Sequence, residues 1–144
     1  MTIATLLLVD DETAFLDAMA RRLTKRDFEI LTASSGMDAL EMLTSNGEKI
    51  EVVILDVKMP GMDGIETLAE IKRKCPLVEV VMRTGHATGP SAIDGMKQGA
   101  FDYLMKPCDM NILVEKVSEA AALKRRHEEK IIQARMREIT TRRA

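Results

Sequence analysis

VVILDVKMPGMDGIE, residues 52–66, opens as an unbroken apolar run, stops on an aspartate and breaks into a proline- and glycine-rich turn. An apolar run without alternation, Val52–Asp56, fits a strand covered on both faces, as in a parallel sheet. Pro60-Gly61-Met62-Asp63-Gly64 is a turn. Ile65, Leu68 and Ile71 then recur at helical spacing as far as Lys74, and Pro76 forbids more. The same strand-then-helix unit repeats on either side. Thr5–Val9 (TLLLV) predicts a first strand, and Thr13 to Lys25 a helix through Phe15, Leu16, Met19 and Leu23. Phe28–Ala33 is the second strand, followed by a helix over Ser35–Asn46 that Gly47 stops. After the third strand and its helix come strand four at Val78–Arg83, helix four at Pro90–Gln98 and strand five at Phe101–Met105. A last helix starts from the N-cap Asp109 and runs to about Thr140. Strands alternating with helices through short connections predict one α/β domain with a doubly wound parallel sheet.

Composition excludes several classes. The chain has 144 residues, 46% hydrophobic and 31% charged, which fits one domain with a core of its own. No apolar run approaches the roughly 18 residues of a membrane helix. The first apolar stretch, Ile3 to Val9, meets Asp10, Asp11 and Glu12 at once and lacks a basic flank, so no signal peptide is expected. Cys75 and Cys108 are too few for a disulfide framework or a zinc cage and read as reduced cytoplasmic thiols. Residues 115–144 carry a net +4, leaving −6 for residues 1–114. That basic tail mixes signs and has no aromatic residue to stack on bases, so direct nucleic-acid binding is not expected.

Open α/β sheets bind ligands beyond the carboxyl ends of their strands. The residues there are Asp10, Asp11 and Glu12 after strand one, Asp56 ending strand three, Thr84 ending strand four and Lys106 after strand five. Asp10 and Asp11 alone read equally well as the solvated start of a helix. Joined by Asp56 in one crevice, they repel one another unless a cation neutralises them, which points to Mg²⁺ with retained waters. Lys106 reaches the same crevice, where it can pair with Asp56 or with a phosphoryl oxygen placed on it. Pro107 suggests a rigid or cis peptide that aims that lysine. The Thr84 hydroxyl is available to an acceptor oxygen. The eleven methionines, Met59, Met62, Met105 and Met110 among them, read as adaptable packing.

Taken in order, LLLVDDE (Leu6–Glu12), LDVKMPGMDGIE (Leu55–Glu66), TGHA (Thr84–Ala87) and GAFDYLMKPC (Gly99–Cys108) closely resemble the receiver domain of two-component response regulators. The resemblance covers about residues 4–123. It implies a flavodoxin-like sheet in the order 2-1-3-4-5 and a cytoplasmic phosphoacceptor switch whose catalysis is limited to its own phosphorylation and dephosphorylation. By the same resemblance Asp56 takes a phosphoryl group from a sensor histidine kinase or phosphotransfer protein. Asp10 and Asp11 hold Mg²⁺ together with Asp56 and the backbone carbonyl of Lys58. Thr84 and Lys106 bind the phosphoryl oxygens, and Tyr103 is the aromatic switch residue that turns inward with Thr84. The face of helix four, strand five and helix five then carries the signal.

Two rival readings fit less well. Phosphatases with a strand-end Asp nucleophile typically need a second acid two residues on, where this chain has Lys58. A phosphorylation-independent scaffold would be expected to lack one of Asp10, Asp11, Asp56 or Lys106.

Two features depart from the resemblance. Arg83 stands where an apolar or small residue is expected, and a guanidinium inside a doubly covered sheet is costly unless paired. Either its head emerges at the surface over a buried stem, or the site is altered. With no acidic partner in neighbouring sequence, Arg83→Leu is expected to raise the melting temperature. Gly89-Pro90 replaces a more usual polar start of helix four. Residues 1–123 form the expected receiver and 124–144 a helical extension. Its Ile131, Ile132, Met136 and Ile139 suggest pairing with a second chain or a lead into an output domain, the plainer alternative being a frayed solvated tail. The helix four, strand five and helix five face is the alternative homodimer surface.

Overall fold

The computed structural model describes residues 2–58, 63–85 and 90–143. The expected turn residues 59–62 and residues 86–89, which include Gly89, lie outside the described residues. The elements run β1 (Thr5–Val9), α1 (Thr13–Thr24), β2 (Glu29–Ala33), α2 (Gly36–Asn46), β3 (Val52–Asp56), α3 (Gly64–Lys74), β4 (Glu79–Thr84), α4 (Pro90–Lys97), β5 (Asp102–Met105) and α5 (Met110–Arg143). All five strands are parallel in the order β2-β1-β3-β4-β5, the order expected. No described helix is long and apolar enough to cross a membrane.

Every residue of β1 and β3 is buried, as their unbroken apolar runs require. Alternation along the strands divides the core in two. Leu6, Leu8, Val52, Ile54, Val81 and Leu104 face α1 and α5, meeting Leu16, Leu23, Leu113 and Val117. Leu7, Val9, Val53, Leu55, Val80 and Met82 face α2 and α3, meeting Ala39, Leu43, Leu68 and Ile71. Each such Leu, Ile or Val stabilises the fold by roughly 1.5–3 kcal/mol over an exposed one.

Caps set the helix starts. The Ser35 hydroxyl accepts the Asp38 amide at 3.1 Å and the Asp63 carboxylate accepts the Glu66 amide at 2.8 Å. Asp109 accepts the Asn111 amide at 3.0 Å, at the position expected for an N-cap. Strand starts differ from the sequence reading by one residue for a local reason. The amide of Phe28 donates to Leu23 and that of Val78 to Cys75, so both residues close turns instead of opening strands.

The last helix reaches Arg143, past the expected Thr140. Its docking also outlasts Leu123. Lys124 is buried over its stem and pairs with Glu128 at 3.2 Å, while Arg125 bonds both Glu51 carboxylate oxygens and the Ile3 carbonyl. A lysine can bury its stem in this way while its ammonium stays paired. Residues 131–142 of the helix are exposed, Ile132, Met136 and Ile139 among them.

Candidate functional site

Leu8, Ile54, Val81 and Leu104 share one face of the sheet. The residues two further along each strand direction are Asp10, Asp56, Arg83 and Lys106, so alternation brings these four to the same side at the carboxyl edge. Lys106 Nζ lies 2.6 Å from Asp56 Oδ1. Arg83 Nη1 lies 2.9 Å from Asp10 Oδ2. Asp10 Oδ1 accepts the Glu12 amide at 3.0 Å. Asp11 joins them from the loop. One carboxylate oxygen from each of Asp10, Asp11 and Asp56 lies within 4.8 Å of the others.

The three acids differ in environment. Asp10 and Asp56 are buried, whereas Asp11 is exposed. Burial pushes the Asp10 carboxyl above the usual carboxylate range. The Glu12 amide offsets part of this, the negative charge of Asp56 adds to it, and the cations of Arg83 and Lys106 offset more. Against three carboxylates stand two cations, so the cluster keeps net negative charge. Oxygen donors at this spacing with residual negative charge suit a hard dication that retains waters.

The end of β3 is fixed from both sides. The Val57 amide donates to the Arg83 carbonyl at 3.1 Å and the Gly64 amide to the Val57 carbonyl at 3.0 Å. Thr84 is buried at the end of β4, and its carbonyl accepts the Lys106 amide at 2.9 Å. Tyr103 is half-buried and packs against the α2 and α3 side of the core, opposite Met82 in the ladder. Thr84 follows Met82 at the strand alternation, so Thr84 and Tyr103 belong to one side of the sheet. Lys58 is exposed just after the strand. The Lys106-Pro107 peptide is cis.

Arg83 corrects the sequence reading. Its guanidinium does not emerge at the surface: the side chain is 11% exposed and is paired with Asp10. The partner escapes local inspection because it is 73 residues away. β3 separates β1 from β4, and the arginine stem is long enough to reach over that intervening strand. The Arg83 guanidinium carbon also sits 3.9 Å from the centroid of the Phe15 ring, a stacked cation–π contact. Sequence reasoning missed Phe15 altogether as a site neighbour. The signal was the strand parity, which places Arg83 with Asp10 and Asp56.

Residues 6–118 match the family model described as the response regulator receiver domain. The chain belongs to the response regulator receiver domain family. Among relatives, it is 38% identical over 117 residues to the transcriptional regulatory protein GlrR of Escherichia coli K12, covering 81% of this chain and 26% of that protein. It is 36% identical over 113 residues to the DNA-binding transcriptional regulator NtrC of Klebsiella pneumoniae, covering 78% and 24%. This receiver therefore spans about a quarter of the length of these relatives. A solved response regulator receiver domain protein from Clostridium thermocellum superposes with a TM-score of 0.76 at 37% identity, covering 89% of this chain and 98% of that one. A receiver domain is a phosphoacceptor signalling switch of two-component systems, and this chain has that fold and that function.

Proposed function

We propose that Asp56 is the phosphoacceptor, on the observation that its buried carboxylate meets Lys106, Asp10 and Asp11 at the carboxyl edge of the sheet. The donor is a phosphohistidine on a sensor kinase or phosphotransfer protein. Lys106 holds Oδ1, which leaves Oδ2 to attack phosphorus. A P–O bond forms to Asp56 as the P–N bond to imidazole breaks, and the ring leaves with the bonding electron pair. Asp10, Asp11, Asp56 and the Lys58 carbonyl would hold Mg²⁺, which when bound neutralises charge on the phosphoryl oxygens. Lys106 supplies positive charge from the other side. Thr84 donates its hydroxyl to the new phosphoryl group, and Tyr103, on the same side of the sheet, follows it inward. Catalysis by this chain is confined to gaining and losing its own phosphoryl group, in the cytoplasm.

The signal leaves through α4, β5 and α5, where Ile93, Met96, Met105 and Ile112 are exposed. Met105 and Ile112 line an open groove with Tyr103, so movement of the tyrosine would reshape it. A protein partner or a second copy reads that face.

Incubation with acetyl phosphate and Mg²⁺ is expected to add the mass of one phosphoryl group, and excess chelator to suppress the gain. Equal gain in chelator would contradict the metal requirement. For the extension at residues 124–144, the exposed Ile131, Ile132, Met136 and Ile139 favour pairing with a second copy. Sedimentation at high protein concentration should show a dimer for the full chain and a monomer for a chain ending at Leu123. Monomers for both, with and without phosphorylation, would refute pairing through the tail.

A further inference from the structure

We propose that Arg83 is a tethered cation that competes with the divalent metal for Asp10, so that metal binding requires the arginine to let go. The inference rests on the reading of Asp10 as a metal ligand. Both oxygens of Asp10 are engaged: Oδ1 by the Glu12 amide at 3.0 Å and Oδ2 by Arg83 Nη1 at 2.9 Å. The arginine approaches from beneath, out of the α1 and α5 side of the sheet, with its guanidinium over the Phe15 ring. Asp11 is the exposed acid of the trio and has no ion-pair partner among the described residues. A dication entering from solvent thus meets Asp11 first. It gains Asp10 Oδ2 only in place of Arg83.

The arrangement is poised to be reversible. Among the described residues, Arg83 Nε is buried without a hydrogen-bond partner. A guanidinium fully committed to a structural role would satisfy that donor, because an unpaired buried N–H is destabilising. The Asp10 pair and the Phe15 ring therefore hold Arg83 with part of its donor set unmet, which weakens its grip relative to a bidentate clamp. Without metal, Arg83 neutralises a buried carboxylate that would otherwise stand unpaired beside Asp56. With metal, that service is redundant and two cations converge on one acid. The device keeps the metal-free receiver stable and raises the metal concentration at which the site fills.

This reverses the stability effect expected from the sequence. Without metal, Arg83→Leu should lower the melting temperature, since Asp10 loses its counter-ion. With metal, the variant should recover more than the unmodified chain does. Mg²⁺ affinity, measured by calorimetry on the full chain, should rise at least about tenfold in Arg83→Leu, because a like charge a few ångströms from the ion is removed. Arg83→Met, which keeps a long apolar stem, should behave the same way and serves if the leucine variant folds poorly. In the unmodified chain, saturating Mg²⁺ should shift the Arg83 Nε–H resonance as the pair with Asp10 opens. Equal Mg²⁺ affinity in the unmodified and variant chains, or an unmoved Arg83 resonance at saturation, would overturn the competition. Absence of Mg²⁺ binding in every protein would instead overturn the metal reading, and the competition with it.

Discussion

Asp56→Asn is expected to abolish phosphoryl uptake while leaving the chain folded. The amide is nearly the same shape as the carboxylate, but its oxygen and nitrogen are poor nucleophiles and cannot form the acyl phosphate. It also removes one of three clustered negative charges, which relieves the repulsion on Asp10 that burial aggravates. The Lys106 contact at 2.6 Å survives in geometry only if the amide oxygen faces the ammonium. A modest loss of stability is therefore compatible with a full loss of phosphorylation. Intact mass after incubation with acetyl phosphate and Mg²⁺ reads the result. A gain equal to that of the unmodified chain would mean that another residue is the acceptor.

Gly64→Ala should be the most destabilising single methyl addition near the site. A Cβ there would lie 2.5 Å from the Asp56 carbonyl oxygen and 2.6 Å from Val57 Cα. Both are backbone atoms, fixed by the ladder to β4 and by the Gly64 amide bond to Val57. They have no side-chain freedom with which to yield. The start of α3 must move away from the end of β3, and overpacking of this kind destabilises by about 1–3 kcal/mol. The midpoint of urea unfolding should fall accordingly. Gly85→Ala is the control, because among the described residues nothing beyond its chain neighbours lies within 4 Å of a Cβ at that position. Equal midpoints for the two variants would contradict the close approach of α3 to the end of β3.

The fold was legible because its signals are local. Val52–Asp56 is apolar at every position before its aspartate, and a covered parallel strand is the structure that consumes such a run. Asp109 announces the last helix by chemistry that acts within two residues, and Ser35 and Asp63 cap α2 and α3 in the same local way. Where the reading slipped, at Phe28 and Val78, an amide went to a turn carbonyl, a choice that side-chain patterning does not encode. Lys124 opens the expected extension, yet it is buried, because a lysine stem can lie along apolar surface while its head pairs outside.

The site was legible to the extent that strand ends determine it. Asp10, Asp11, Asp56 and Lys106 do converge, because parallel strands end at one edge and alternate in register. Arg83 was misjudged for the converse reason. Its partner lies across an intervening strand, and neighbouring sequence holds no trace of it. Counting parity from Val81 would have placed Arg83 with Asp10 on one face, but parity names a side of the sheet, not a contact. Phe15 completes that contact from α1, and its helical spacing reads only as core.

Asp56 as the phosphoacceptor is the claim on which the rest depends, and chemical mapping of the acyl phosphate tests it most directly. The chain is phosphorylated with acetyl phosphate in Mg²⁺, reduced with borohydride, which converts an aspartyl phosphate to homoserine, and digested for peptide mass analysis. Conversion confined to Asp56 is the expected result. Conversion at Asp10, Asp11 or any other aspartate, with Asp56 intact, would contradict the account.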